Sequence, residues 1–143
     1  MQRKLIALVM IGVMSTISQH ATAQNKPTPS ENLPRNIRVD CKNQQTQFDM
    51  NFCANQQARA ADRKLNQAYQ TLIRSYKGTR RESQLVAAQQ AWIKFRDTNC
   101  TFTSAAYEGG SIQPMVYSNC IEKMTNDRTK QLEDFAKNRE GIF

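Results

Sequence analysis

The residues that best predict the chemistry of this 143-residue chain are its four cysteines, Cys41, Cys53, Cys100 and Cys120. No two of them form a C-x-x-C pair, the spacing typical of a zinc ribbon or a thioredoxin-like redox centre. An even number of cysteines in an exported protein is typical of a disulfide framework. We therefore expect two structural disulfides and no bound metal ion.

The N-terminal segment has the features of a secretory signal peptide. Arg3 and Lys4 precede an uncharged stretch over residues 5–17, and the small residues 21–23 suit cleavage before Gln24. The apolar stretch is shorter than the roughly 20 residues that are needed to span a bilayer. We predict that residues 1–23 are removed and that the mature protein is periplasmic or secreted, with no stable membrane anchor.

Acid–base catalysis would have to rely on carboxylates, because His20 is the only histidine and lies inside the predicted signal peptide. The mature chain therefore has no imidazole for a catalytic triad, a proton relay near neutral pH or a zinc site. Asp49, Asp62 and Asp97 remain, but their spacing indicates neither a close pair nor a cleft that would tune them as acid and base. The sequence predicts a binding protein that is not an enzyme and uses no cofactor.

The formal net charge is +8, and it falls to +6 once Arg3 and Lys4 are removed with the signal. Such a charge attracts anionic surfaces, so a non-catalytic, anion-binding envelope protein is one alternative function. Nucleic acid is not an expected partner, because exported proteins rarely meet it and the basic residues lack the stacking aromatics of a base-binding platform. These basic residues follow helix-like sequence: Arg59, Arg63, Lys64, Arg74, Lys77, Arg80 and Arg81.

The mature chain is predicted to hold one all-α domain behind a polar leader. Residues 24–39 contain three prolines and little apolar surface, so they are predicted as a flexible leader, and residues 40–143 form the domain. Gly78 and the pair Gly109-Gly110 divide the domain into about three long helices. We expect an antiparallel, up-down-up helical bundle with short turns, stapled by two disulfides, whose helices are roughly 40 Å long.

Capping signals mark the start of each predicted helix. Thr46 is a candidate cap for a first helix that runs to about Lys77. The Thr79 to Glu82 segment has the spacing of a capping box for the second helix. The third is predicted to begin at Ser111, with Pro114 in its first turn.

Each predicted helix has an apolar stripe that we expect to be buried. The first stripe is Ala54, Ala58, Ala61, Leu65, Ala68, Leu72 and Tyr76. The second is Leu85, Ala88, Trp92, Phe95, Phe102 and Ala106. The third is Tyr117, Cys120, Ile121, Met124, Leu132 and Phe135. Core packing is therefore the expected role of Trp92 and Phe95, in preference to an exposed binding anchor.

A turn at Gly110 sets the register between the second and third helices. Residues whose numbers sum to about 220 should lie level, which pairs Cys100 with Cys120 and, by remainder, Cys41 with Cys53. Crossed pairings stay open, because Cys53 is predicted near the same end of the bundle. The same register places Leu85 beside Phe135, Ala88 beside Leu132, and Arg128 beside Trp92, where a cation–π contact is possible.

Two further groups are candidate binding residues. Arg96 and Asp97 could form a recognition pair, but a structural role is favoured, with Arg96 across the apolar seam and Asp97 paired with Lys123. The turn Tyr107, Glu108, Gly109, Gly110 and Ser111 is the best candidate for partner binding, since a short anchored loop can enter another protein's cleft at low entropic cost. A plain connection between helices is the alternative, because glycine commonly ends a helix.

Several ordered motifs resemble a known family over about residues 41–132. They are Asp49-Met50-Asn51-x-Cys53-Ala54, Ala61-Asp62-x-x-Leu65-Asn66-x-x-Tyr69, Gln89-x-Ala91-Trp92-Ile93-x-Phe95-Arg96-Asp97-x-x-Cys100, Gly109-Gly110-Ser111 and Cys120. The chain resembles the LprI-type lysozyme-inhibitor family, which implies an exported helical protein that binds lysozyme or another peptidoglycan hydrolase. No cysteine follows the apolar signal stretch, so this chain lacks the lipid attachment site of a lipoprotein member.

The resemblance places a requirement on the charge of the binding surface and leaves a related function open. Common animal lysozymes are basic, so inhibition would need a locally acidic face, for which Glu108, Glu122, Glu133 and Asp134 are candidates. A related alternative is an immunity protein that neutralises a peptidoglycan-degrading toxin from neighbouring bacteria. Lysozyme binding that survives salt would separate both functions from simple anion binding.

Overall fold

The computed structural model describes residues 38–138 and contains three helices. They are α1 (Gln47–Ser75), α2 (Arg80–Ala105) and α3 (Gln113–Lys137). Their 29, 26 and 25 residues correspond to lengths of about 38–44 Å. The prediction of an all-α bundle of three long helices is confirmed. The predicted signal peptide and nearly all of the predicted leader lie outside the described residues.

The start of α1 is held by the cap that the sequence predicts. The Thr46 hydroxyl accepts a hydrogen bond from the Asp49 backbone N–H at 3.1 Å, and the Asp49 carboxylate accepts one from the Thr46 N–H at 3.0 Å. These two bonds form a capping box, which satisfies donors that the helix itself leaves unpaired. Hydrogen bonds from Thr46 and from the Gln45 backbone hold the pKa of Asp49 below its ordinary value.

The predicted starts of α2 and α3 need correction. Thr79 caps α2 through its backbone only, because its hydroxyl donates to the Tyr76 carbonyl at 2.6 Å. Glu82 accepts from the Gly78 N–H at 2.7 Å, so the capping box predicted for this helix is wrong. Helix α3 begins after Ile112 instead of at Ser111, because a turn bond from Gln113 N–H to the Gly110 carbonyl delays the first helical residue. Pro114 lies in its first turn, as expected.

Helices α1 and α3 run in the same direction, and α2 runs against both. Asp62 of α1 and Thr125 of α3 both bind Arg96 of α2. Nearer the C-terminal ends of α1 and α3, Leu72 and Leu132 belong to the same cluster. The largest interface joins α1 with α3, and α2 packs mainly on α3. Helix α2 is therefore the peripheral helix of the bundle.

Two clusters of buried side chains form the core. One contains Ala58, Cys100 and Ile121, with Tyr117, Cys120 and Met124 packed against it. The other contains Leu65, Leu72 and Leu132, with Ala68, Tyr69, Tyr76, Leu85, Trp92 and Ala136 packed against it. The predicted inner faces of α1 and α3 are confirmed except at Phe135, whose side chain is 40% exposed.

The stripe predicted for α2 is wrong over most of its length. Leu85 and Trp92 pack against the core, but Phe95 is 59% exposed and Phe102 is 81% exposed. Ala88 and Ala106 are also exposed. Ala88 is therefore not buried beside Leu132, as the predicted register required. The inward row of α2 is instead largely polar, with Gln89, Arg96, Cys100 and Ser104 buried. Its polar members are tolerated because they form hydrogen bonds to other residues.

No helix within residues 38–138 is long and apolar enough to cross a bilayer.

Candidate binding surface at the disulfide end

Two disulfides lie in the same half of the bundle and confirm both predicted pairings. Cys41 is bonded to Cys53 in the second turn of α1, and Cys100 of α2 is bonded to Cys120 of α3. We call this half, residues 41–58 and 100–121, the disulfide end. The second bond lies in the core cluster, because Cys100 is fully buried. The bond therefore joins the last turns of α2 to the first turns of α3 close to the connecting turn.

The connecting turn, residues 107–111, is exposed along its whole length. Gly109 has a φ of +76°, a conformation that favours glycine because it has no Cβ. A Cβ added to Gly110 would lie 3.1 Å from the Tyr107 carbonyl oxygen, and the Gly110 N–H donates to that same oxygen at 3.0 Å. The two glycines thus allow a tight turn that presents Tyr107 and Glu108 to solvent.

Helix α1 anchors this turn from the side. The Asn51 side-chain amide donates to the Ser111 carbonyl oxygen at 2.9 Å, across 60 residues of sequence. Asn51 belongs to the motif Asp49-Met50-Asn51-x-Cys53-Ala54, but the spacing of this motif alone does not predict the bond to Ser111. The turn is consequently fixed by a disulfide at its base and by a hydrogen bond at its end.

Charge is distributed very unequally between the two ends of the bundle. Residues 98–121 contain a single charged residue, Glu108. Residues 63–81, at the opposite end, contain six basic residues and no acidic one: Arg63, Lys64, Arg74, Lys77, Arg80 and Arg81. We call the half of the bundle around the α1–α2 turn the basic end.

The four acidic candidates do not form one face. Glu108 lies on the connecting turn, and Glu122 lies on the first half of α3. Glu133 and Asp134 lie near the C-terminus of α3, at the basic end, where Asp134 pairs with Lys137 at 3.7 Å. Among the described residues no cation forms an ion pair with Glu108. Only Glu108 therefore combines an acidic charge with the turn.

Arg96 joins all three helices midway between the two ends. One guanidinium nitrogen donates to Asp62 of α1 at 2.6 Å and to Thr125 of α3 at 3.0 Å, and its Nε donates to Asp97 at 2.9 Å. Burial lowers the pKa of Arg96, but the charges of Asp62 and Asp97 more than compensate, so that it lies above its ordinary value. A structural role for Arg96 is therefore favoured by its contacts.

Trp92 lies between two guanidinium groups. Arg96 is 5.3 Å and Arg128 is 5.8 Å from the centre of its ring, so the predicted contact with Arg128 is confirmed. Arg128 also donates to Gln89 at 3.1 Å, which satisfies this buried amide of α2.

The predicted ion pair between Asp97 and Lys123 is wrong. Asp97 binds its neighbour Arg96, and Lys123 binds Asp127 one turn further along α3 at 3.2 Å. Both residues find a partner close in sequence on their own helix, so the bond between helices is not formed.

Tyr117 packs against the core cluster of the disulfide end. Burial, and then the negative charge of Asp97, raise the pKa of the Tyr117 hydroxyl above its ordinary value. Asp62 and Asp97 both bind Arg96, and within residues 38–138 no three His, Cys, Asp or Glu side chains are grouped to hold a metal ion.

The chain is similar to a protein of Rhizobium meliloti, to a solved structure from Pseudomonas putida and to one family model. A protein of Rhizobium meliloti (strain 1021) described as uncharacterized is 34% identical over 114 residues, which cover 71% of this chain and 82% of that protein. The crystal structure of a DUF1311 family protein from Pseudomonas putida KT2440 has the same fold, with a TM-score of 0.60 and 23% identity over 65% of this chain and 96% of the other. Residues 40–132 match the family described as lysozyme inhibitor LprI, and the chain therefore belongs to the LprI family.

Proposed function

We propose that this protein is exported and inhibits a peptidoglycan-lytic enzyme such as a lysozyme by binding it through the turn over residues 107–111. Membership of the LprI family, whose description names lysozyme inhibition, supports the class of partner. The two disulfides support export, because such bonds persist in oxidising compartments and are rare in the cytosol. The protein acts through a surface and performs no reaction.

The anchored turn is the observation that carries this proposal. It is exposed, yet its base is joined by the Cys100–Cys120 bond and its end is held by Asn51. A loop that is already ordered loses little conformational entropy when it enters the cleft of an enzyme. Tyr107, which is 46% exposed, adds an aromatic ring of the kind that is enriched at protein interfaces.

Electrostatics favours the same end of the molecule. The mature protein, without Arg3 and Lys4, carries a formal net charge of +6, which repels a basic lysozyme at long range. The bases are concentrated at the basic end, whereas the stretch over residues 98–121 offers only Glu108. A basic enzyme is therefore expected to meet the turn first, with Glu108 as the charge that attracts it.

The inhibition is tested with the oxidised mature protein, which begins at Gln24, in a cell-wall lysis assay against several lysozymes. Glu108→Lys should weaken inhibition at least about tenfold, because it reverses the single charge of this surface. Glu133→Lys is the matched control, since it makes the same charge change on an exposed residue at the other end of α3. We expect the control to retain inhibition.

Two results would reject this proposal. A protein that slows none of the lysozymes is not an inhibitor of this class of enzyme. Equal losses in Glu108→Lys and Glu133→Lys would show that overall charge, and not the turn, controls binding.

A second candidate function is anion binding in the cell envelope, favoured by the six bases over residues 63–81, a stretch that contains no acidic residue. This function predicts retention on anionic vesicles or polysaccharide that falls steeply with salt. Replacing Lys77 and Arg80 by glutamine should weaken that retention and leave lysozyme inhibition unchanged. Lysozyme binding that survives salt would favour the first function over this one.

A further inference from the structure

The outward face of α2 carries a continuous row of small and aromatic side chains. The row, which we call the outer strip, consists of Ala88, Ala91, Phe95, Thr98, Phe102 and Ala105. All six are exposed, and Phe102, at 81%, is the most exposed large apolar side chain within residues 38–138. The strip therefore leaves apolar surface in water on the helix that packs least tightly into the bundle.

The spacing of the outer strip is that of a coiled-coil seam. Its residues follow one another at alternating steps of three and four, which is the a/d pattern of paired helices. The strip holds no charged residue and extends over about 27 Å at 1.5 Å per residue. Such a face is suited to one straight helix lying alongside it.

We propose that the outer strip pairs with the same strip of a second copy of this chain, with the two α2 helices antiparallel. In this arrangement Phe102 faces Ala91 of the second copy, Phe95 faces Thr98, and Ala88 faces Ala105. Each aromatic ring is thus opposite a small side chain, so the strip is complementary to itself. A parallel pair would place each Phe opposite its own copy and leave gaps between the alanines.

Charge complementarity favours the same orientation. Antiparallel pairing places Glu108 of one copy level with Leu85 of the other, one turn of helix from Arg81. It therefore sets the disulfide end of each copy beside the basic end of the other. Parallel pairing would bring together two stretches that each carry six bases over residues 63–81, which repel one another.

The size of the contact sets its strength. A single pair of helices about 27 Å long buries less than the about 800 Å² per partner of a standard interface. We expect a monomer–dimer equilibrium with a dissociation constant on the order of 100 µM. This inference does not depend on the proposed inhibition, because the outer strip over residues 88–105 contains no residue of the turn at 107–111.

The dimer is tested by sedimentation velocity of the oxidised mature protein over a range of concentrations up to about 1 mM, well above the expected dissociation constant. Phe102→Gln should weaken dimerisation at least about tenfold, since it removes an aromatic ring from the seam. Phe48→Gln is the matched control, because Phe48 is 48% exposed on α1, away from the strip. We expect this control to dimerise like the unchanged protein.

Orientation is tested by exchanging charges across the seam. Ala91→Glu and Phe102→Lys should each abolish the dimer, because each places a charge in the apolar contact. The double variant Ala91→Glu/Phe102→Lys should restore it, since antiparallel pairing brings each glutamate opposite a lysine. In a parallel dimer the double variant would oppose like charges and stay monomeric.

Three results would overturn the inference. One is that the protein remains monomeric at every concentration. This includes the case in which Phe102→Gln weakens binding to a lytic enzyme and has no effect on association. Another is a dimer that Phe48→Gln disrupts and Phe102→Gln does not. The third is that the double variant fails to dimerise although circular dichroism shows that the variants are folded.

Discussion

The two ends of this bundle are stabilised by different means and carry different charges. The disulfide end has both covalent bonds, a small apolar cluster around Cys100 and a single carboxylate over residues 98–121. The basic end has no disulfide, but it holds the larger leucine cluster and six bases over residues 63–81. Covalent bonds thus hold the end that carries the exposed turn, and side-chain packing holds the other.

Under the proposed function, this difference separates the part that stabilises the fold from the part that binds the partner. Leucines of α1 and α3 at the basic end bury apolar surface without restricting what lies outside them. At the disulfide end the bonds restrict the backbone itself, so that little buried surface is needed to order the turn. Each prediction below changes one end or the junction between them.

Leu132→Ala should have the largest effect on stability. Leu132 is fully buried in the leucine cluster, and its truncation should lower the free energy of unfolding by about 4 kcal/mol, because it leaves a cavity. Phe135→Ala, one turn away on a side chain that is 40% exposed, is the control and should cost about 1 kcal/mol. Denaturant unfolding measures both, and equal losses would contradict the assignment of the core to this cluster.

The paired change Cys100→Ala/Cys120→Ala should follow, with a loss of about 3 kcal/mol. This bond closes a loop between residues separated by 20 positions and lies in the core of the disulfide end. Cys41→Ala/Cys53→Ala should cost less, since Cys41 is exposed and precedes α1. Denaturant unfolding orders the two variants, and the reverse order would show that the N-terminal bond is the main staple.

Arg96→Lys should cost about 1.5 kcal/mol, because lysine cannot reproduce the forked contacts to Asp62, Asp97 and Thr125. Arg96 lies at the junction between the two ends, so its loss should also make their unfolding less cooperative. Hydrogen exchange of α1 amides on either side of Asp62 measures this coupling. Unchanged stability in Arg96→Lys would mean that charge alone, without the fork, holds the junction.

Asp49 should give the smallest effect, visible in the dependence of stability on pH. Its pKa in the folded protein lies below the ordinary 3.8, so the carboxylate stabilises the fold above that value. This contribution is lost as the pH falls through the folded pKa. Below about pH 5, Asp49→Asn should therefore lose less stability on acidification than the unchanged protein. Identical slopes for the two proteins would contradict the capping role of this carboxylate.

Local sequence patterns predict the fold correctly where the apolar residues that recur at the helical period are also the residues that are buried. The stripe of α1 is predicted correctly because its alanines and leucines are buried or pack against the core. The Cys100–Cys120 bond was predicted from a fold-back at Gly110, which sets the register of α2 against α3, although crossed pairings stayed open until the structure confirmed it. Both results depend on interactions that a helical period and a turn describe well.

The same reasoning fails for α2, where the apolar row faces water and the inward row is polar. Arg96 is buried because Asp62, 34 residues earlier in the chain, meets it across the bundle. Such a long-range partner leaves no periodic signal in the sequence. The apolar residues around Trp92 therefore predicted burial of the wrong face of α2. The binding role of the turn could be proposed from its glycines, but its anchor on Asn51 required the structure.

The most direct test of the account maps the surface that a lytic enzyme contacts. Amide chemical shifts of the labelled mature protein are recorded as an unlabelled lysozyme that it inhibits is added. We predict changes centred on residues 107–111 and on Asn51, with residues 63–81 unaffected. Changes centred on residues 63–81 or on the outer strip, with none at the turn, would contradict the proposal that the disulfide end is the binding surface.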